Sequence, residues 1–122
     1  MRESGEDYLE TIYLLSKNNP GVHAIDIATE LGYSKPSITK AMKILKEDGY
    51  ITIDEHNHIL LTSQGKERAE KVYERHQYIT KFWMMNGVSD DIAAKDACRM
   101  EHDISDETFA VIKKAVDGSK NS

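Results

Sequence analysis

The sequence predicts a mainly α-helical protein, with an N-terminal winged helix-turn-helix followed by a helical domain. Two observations lead to this prediction. Three helical patterns and one hairpin pattern follow each other within residues 1–63, and this is the order of elements in a winged helix-turn-helix. Residues 64–122 then carry helical patterns alone. At 122 residues the chain is long enough for two small domains, so we expect one at 1–63 and one at 64–122.

The first two helices are predicted from apolar stripes and terminal residues. Residues 4–17 carry apolar side chains at helical spacing, and Ser4 is the expected N-cap. An Asn-Asn-Pro-Gly turn follows. Residues 24–31 form a shorter helical pattern that Gly32 is expected to end.

The third helix and the hairpin complete the predicted winged domain. Ser34 is the expected N-cap of a helix that runs to about residue 48, and Pro36 lies in its first turn, where a missing N–H is harmless. Two short alternating runs, 50–53 and 59–61, flank a polar tip at 54–58. That pattern indicates a β-hairpin, the wing.

Basic charge coincides with the third helix. The chain has a net charge of −5, yet residues 33–46 hold four lysines and no acidic residue. A helix of this kind fits the major groove of DNA. The residues expected to face DNA are Ser34, Lys35, Pro36, Ser37, Thr39, Lys40 and Lys43, with His56, Asn57 and His58 at the tip of the wing. The alternatives are a three-helix module that binds protein, or a lysine face that is merely solvated.

Three helices are predicted in the second half. The longest spans about 64–85 and has His76 within its apolar stripe. Ser89 is the expected cap of the next helix, at 90–102, and Ser105 precedes a last helix that ends near residue 116.

The segment ACRMEH, residues 97–102, holds the only cysteine. In a helix, Cys98, Glu101 and His102 would project from one face. Thiolate, imidazole and carboxylate together suit a first-row transition metal better than calcium or magnesium. The alternative is a cysteine that packs as a small buried hydrophobe, beside a Glu-His pair on a solvated helix face.

Composition excludes several classes of protein. No apolar run approaches the length of a membrane span, and the N-terminus is charged at once, unlike a signal peptide. One cysteine cannot form an internal disulfide, which fits a cytoplasmic protein. We find no Gly-rich or nucleophile motif and no spare acid–base group, so we expect no enzymatic activity and no membrane partner.

Five segments in the same order resemble the diphtheria-toxin-repressor family of metal-dependent transcriptional repressors, in its short manganese-transport-regulator form. They are EDYLETIYLL (6–15), DIATELGYSKPSITKAMKILKEDGYI (26–51), LTSQGKERA (61–69), RHQYI (75–79) and ACRMEHDIS (97–105). The resemblance implies a metal-binding and dimerisation domain at 64–122 and no SH3-like domain. It also implies a homodimer that binds a double-stranded DNA operator when loaded with metal, and no small-molecule substrate other than the metal ion.

The resemblance carries over a set of six metal ligands. They are Asp7 and Glu10 in the first helix, His76 in the fourth, and Cys98, Glu101 and His102 in the fifth. The manganese branch commonly has a carboxylate at the position of Cys98, whereas the iron branch has a non-carboxylate at the position of Asp7. The sequence therefore combines features of both branches, and we expect Mn(II), with Fe(II) as the second choice.

Overall fold

The computed structural model describes residues 3–120, with side chains from 4 to 119, in two compact units that meet between Glu70 and Lys71. The predicted fold class is confirmed, because the described residues form six helices and one two-stranded sheet. Each described helix is too short or too polar to cross a lipid bilayer.

The first unit has the winged helix-turn-helix order that the sequence predicts. Its elements are α1 (Glu3–Ser16), α2 (Ala24–Leu31), α3 (Lys35–Glu47), β1 (Ile51–Ile53) and β2 (Ile59–Leu61). The strands are antiparallel, with Ile51 opposite Leu61 and Ile53 opposite Ile59. Apolar residues from all five elements meet in one core, which includes Leu9, Ile12, Ile27, Ile38, Met42, Ile51 and Ile59.

In the first unit, two predicted helix ends agree with the structure and one differs. Ser34 caps α3, since its Oγ accepts a hydrogen bond from the backbone N–H of Ser37 at 3.3 Å. Gly32 ends α2 in the left-handed conformation, with φ of 71°. The predicted cap at Ser4 is wrong: α1 already begins at Glu3, so Ser4 lies inside the first turn rather than before it.

The long helix α4 (Ser63–Met85) begins within the first unit. Ala69 is fully buried in the first core. Gly65 is also buried, and a Cβ at this position would lie 2.0 Å from the carbonyl oxygen of Tyr50. The first turns of α4 therefore pack within the first unit, which runs to Glu70, and the predicted domain boundary at 63/64 stays a prediction.

The second unit consists of the rest of α4 with α5 (Asp90–Met100) and α6 (Asp106–Lys120). Its core is built from Ile79, Ala97, Phe109 and Ile112. The indole N–H of Trp83 points to the sulfur of Met100 at 3.3 Å. Helix α5 ends two residues before the predicted His102, and α6 continues past the predicted end at 116.

Apolar residues on α5 and α6 divide into two sets. Ala97, Phe109, Ile112 and Val116 are buried within the chain itself. Ile92 and Val111 keep 47% and 66% of their surface exposed. The second set is exposed and so is available to a partner surface.

Candidate metal centre and nucleic-acid interface

Helix α3 presents the predicted DNA-facing residues to solvent. Ile38, Met42 and Leu45 anchor one face of the helix in the core. The opposite face carries the exposed residues of the prediction, Ser34, Lys35, Pro36, Ser37, Thr39, Lys40 and Lys43. A basic, exposed helix held rigidly by its other face has the form that major-groove binding requires.

Three hydroxyl groups near the start of α3 are already engaged in hydrogen bonds. Thr39 donates its hydroxyl to the carbonyl of Lys35 at 3.0 Å. Ser34 and Ser37 hydrogen-bond to each other through their hydroxyls at 2.9 Å. Each hydroxyl oxygen can still accept a hydrogen bond, so Ser37 and Thr39 remain suited to donor groups on base edges.

The wing tip is organised by Asp54. Its carboxylate accepts the backbone N–H groups of His56 and His58 at 2.8 and 2.9 Å, and the His58 ring nitrogen Nδ1 lies 3.1 Å away. These contacts, the backbone N–H of His58 foremost, lower the pKa of Asp54. Asn57 adopts φ of 62°, the left-handed conformation that Asn tolerates well.

The three predicted residues of the tip are not equivalent. His56 and Asn57 are exposed. The ring of His58 instead packs edge-on against His23, with centroids 4.8 Å apart, and lies against Gly21. The next residue, Ile59, donates its N–H to the carbonyl of Val22 at 2.7 Å. His58 therefore fixes the wing to the α2 end of the domain and is the least exposed of the three, whereas His56 and Asn57 are open to solvent.

In the second unit, Glu101 lies between two histidines. The residue is 1% exposed. One carboxylate oxygen is 2.8 Å from Nδ1 of His76, and the other is 3.4 Å from Nε2 of His102. A carboxylate is rarely buried to this extent unless a cation or hydrogen-bond donors surround it.

Cys98 completes a cluster of three donor types. Its sulfur is 3.8 Å from Nδ1 of His76, and one ligand atom each from His76, Cys98 and Glu101 lie within 4.8 Å of one another. Cys98 is exposed, which excludes the alternative of a buried hydrophobe. Imidazole, thiolate and carboxylate at this separation fit a transition metal ion.

Helix α5 ends at Met100, so helical spacing does not by itself explain why Cys98, Glu101 and His102 lie close together. Glu101 follows the last helical residue, yet its backbone keeps helical angles, φ −58° and ψ −26°. The predicted i, i+3 relation between Cys98 and Glu101 therefore holds. His102 lies in the turn after the helix, so its position is set by that turn and not by helical spacing.

The other two predicted ligands, Asp7 and Glu10, belong to the first unit. They lie three residues apart on α1, and both are half-buried. Positions at that spacing share one face of a helix.

Arg75 has no role in the sequence prediction, although it lies within the RHQYI segment. It is 7% exposed, and its guanidinium donates to the carbonyls of Glu101 and Ile104 and to the carboxylate of Asp106. A charged residue is rarely buried without partners. In the sequence, the burial of Arg75 is indicated only by its position on α4 between Val72 and Ile79, within the apolar stripe.

Two family models match almost the whole chain. Residues 1–59 match the model described as iron dependent repressor, N-terminal DNA binding domain. Residues 62–121 match the model described as iron dependent repressor, metal binding and dimerisation domain.

Individual relatives agree with these models. Transcriptional regulator MntR of Escherichia coli O157:H7 is 37% identical over 108 residues, which are 88% of this chain and 70% of the relative. An uncharacterised HTH-type transcriptional regulator of Methanocaldococcus jannaschii is 35% identical over 115 residues, covering 93% and 92% of the two chains.

Solved structures share the fold. The manganese regulator SloR superposes with a TM-score of 0.81 at 28% identity, and ScaR with bound Zn²⁺ gives 0.79 at 27%. In both cases 93% of this chain is covered but only 53% of the other. This chain thus spans about half the length of these solved chains.

Proposed function

We infer that this chain, which belongs to the iron-dependent repressor family as its sequence resemblance predicted, is a metal-dependent transcriptional repressor that controls metal homeostasis. One observation carries the proposal: His76, Cys98 and Glu101 converge in a chain whose other unit exposes a basic recognition helix. The partner is a double-stranded DNA operator.

We propose Asp7, Glu10, His76, Cys98, Glu101 and His102 as the metal ligands. The cluster of His76, Cys98 and Glu101 supports half of this set, and His102 supports it through its contact with Glu101. Asp7 and Glu10 are added by the sequence resemblance. A bound cation would offset the negative charge of the carboxylates and the thiolate in this set.

Mn(II) is the proposed physiological metal, with Fe(II) second. Three of the six ligands are carboxylates, and oxygen-rich sets favour the harder ions. Cys98 favours iron, and in vitro it also favours zinc or cobalt. Affinity alone does not select between Mn(II) and Fe(II), since both bind weakly in the divalent series.

The chain's own residues account for the coupling of metal to DNA. Without a cation, the acidic ligands repel one another; with it, they are held together, and the dimer is ordered for the operator. Metal binding and DNA binding then raise each other's affinity by the same factor. A homodimer of winged helices would contact half-sites about 34 Å apart, or at multiples of that spacing.

The test is a DNA-binding titration with the chain's own promoter after chelation, repeated with each divalent metal. We expect strong binding with Mn(II) or Fe(II) and weak binding by the apo protein. Glu101→Gln should lose the response to metal, whereas Glu107→Gln, an exposed substitution on α6, should keep it. If the apo protein binds its promoter as tightly as the loaded protein, the chain is no metal switch.

The main alternative is a winged-helix regulator or interaction module that acts without metal. This alternative predicts no dependence on metal, whereas the repressor binds DNA only when loaded. The same titration therefore separates the two functions. We further propose that the protein acts in the cytoplasm and is not an enzyme, in keeping with a family of transcriptional regulators.

A further inference from the structure

We propose that Arg75 is a positioning residue of the metal centre, which fixes the turn after α5 so that Glu101 directs its carboxylate to the metal beside His76. The inference deepens the proposed function and rests on it. It concerns a residue that does not itself bind the ion.

The guanidinium of Arg75 holds the backbone of the turn at two points. One terminal nitrogen donates to the carbonyl of Glu101 at 3.3 Å and to the carbonyl of Ile104 at 2.5 Å. The last carbonyls of a helix have no partner within it. Arg75 therefore supplies donors that α5 lacks where it ends, and it draws the turn onto α4.

The other side of the guanidinium is anchored on α6. A second terminal nitrogen donates to the carboxylate of Asp106, the first residue of α6, which Lys71 also approaches at 3.6 Å. The guanidinium carbon lies 5.3 Å from the centre of the Phe109 ring. With these contacts the side chain is 7% exposed, so its orientation is fixed by packing as well as by hydrogen bonds.

Consecutive residues of α4 thus hold the two ends of Glu101. Arg75 binds its backbone carbonyl and His76 contacts its carboxylate at 2.8 Å. Cys98 needs no such support because it lies inside α5, but Glu101 lies one residue beyond the helix. The helix holds only its N–H side, through the carbonyl of Ala97 at 2.9 Å, and Arg75 holds its carbonyl side, so both are needed to fix the direction of the side chain.

A purely structural role for Arg75 makes a different prediction. In that case its loss would lower stability, and the folded fraction would bind metal as before. In a positioning role, the folded protein itself binds metal more weakly. Lysine keeps the positive charge but cannot reproduce a planar fork that serves several acceptors, so Arg75→Lys separates geometry from charge.

The experiment is a Co(II) titration of the full chain, with Arg75→Lys and Ile112→Val compared with wild type. Folding is checked by circular dichroism before each titration. We expect Arg75→Lys to bind Co(II) about 10- to 100-fold more weakly, the range found when residues that orient metal ligands are lost. Its ligand-field absorption should also change, since Glu101 is displaced. Ile112→Val, in the core of the same unit, should lower thermal stability while affinity and spectrum stay the same.

Asp106→Asn provides a second variant if Arg75→Lys does not fold. It retains the guanidinium and weakens its anchor on α6, together with the contact to Lys71, so we expect a smaller loss of Co(II) affinity, at about 10-fold the lower end of that range. Wild-type affinity and spectrum in a folded Arg75→Lys, or in Asp106→Asn when that variant replaces it, would overturn the inference and leave the proposed function intact. Failure of the wild-type chain to bind Co(II) or Mn(II) would overturn the proposed function instead.

Discussion

Replacement of Gly65 by alanine sets two physical effects against each other. Gly65 lies in the first turn of α4, where alanine is the better helix former by up to about 1 kcal/mol. A Cβ at this position, however, would lie 2.0 Å from the carbonyl oxygen of Tyr50, and real Cβ atoms essentially never come within 3.0 Å of such an atom. The backbone would have to move by about the difference, 1 Å.

The neighbouring hydrogen bonds determine what that movement costs. The Tyr50 carbonyl accepts the N–H of Thr62 at 3.0 Å. The Thr62 hydroxyl donates to the Gly49 carbonyl at 2.7 Å and accepts the N–H of Gly65 at 3.1 Å. Overpacking costs about 1–3 kcal/mol, and one weakened hydrogen bond adds about 1 kcal/mol. After the gain in helix propensity of up to about 1 kcal/mol, we expect Gly65→Ala to destabilise the first unit by roughly 1–3 kcal/mol.

Gly118→Ala is the matched control. Gly118 is also helical, but a Cβ there would meet nothing within 4 Å. Only propensity acts, so we expect a gain of a few tenths to about 1 kcal/mol. Urea unfolding followed by circular dichroism gives the total change. Amide exchange at Ile51 and Ile59 assigns it to the first unit. If Gly65→Ala is as stable as wild type, α4 does not depend on this close approach.

Three further predictions concern the two functional surfaces. Lys43→Ala should weaken binding to all DNA sequences and reduce the salt slope by about one per protomer. Lys114→Ala, on α6, should not, and an unchanged slope for Lys43→Ala would place the DNA face elsewhere. Cys98→Glu should shift the DNA-binding response toward Mn(II) over Fe(II), Co(II) and Zn(II), and an unchanged metal ranking would remove Cys98 from the ligand set. Asp54→Asn should destabilise the wing near neutral pH. Because the pKa of Asp54 is depressed below the ordinary value of an aspartate, 3.8, the stability that this carboxylate contributes is present above that value. It is lost as the pH falls through the lower pKa of the folded state. As the pH falls, the amide-exchange protection of His56 and His58 in the wild type should therefore approach that in Asp54→Asn. A difference in protection that does not change with pH would contradict this prediction.

Most elements of the fold could be predicted because their signals are local. The Ser34 cap, the Gly32 stop and the two alternating runs of the hairpin each depend on residues a few positions apart, and all are present in the structure. The end of α5 was not predictable in this way. No breaker follows Met100, and the turn is stabilised by Arg75, which lies far away in the sequence.

In the candidate metal centre, too, contacts between residues near in sequence were predictable and contacts between helices were not. Cys98 and Glu101 are three residues apart, so their proximity followed from helical spacing. The contact between His76 and Glu101 joins two helices, and for that pair the sequence offered only the family resemblance. The role of Arg75 was not predictable, because its partners are mostly backbone carbonyls. Every residue type carries such a carbonyl, so the sequence does not show which ones accept a hydrogen bond.

Trp83 gives the chain a built-in optical reporter. It is the only tryptophan, and its indole N–H points to the sulfur of Met100, the residue just before Glu101. Its emission responds to the polarity and quenching groups around the ring, so a ligand drawn to Glu101 should alter the fluorescence without any added label. The same indole belongs to the second unit alone. Fluorescence should therefore follow the loading and melting of that unit even when circular dichroism averages over both, and a stopped-flow trace would time the arrival of the ion.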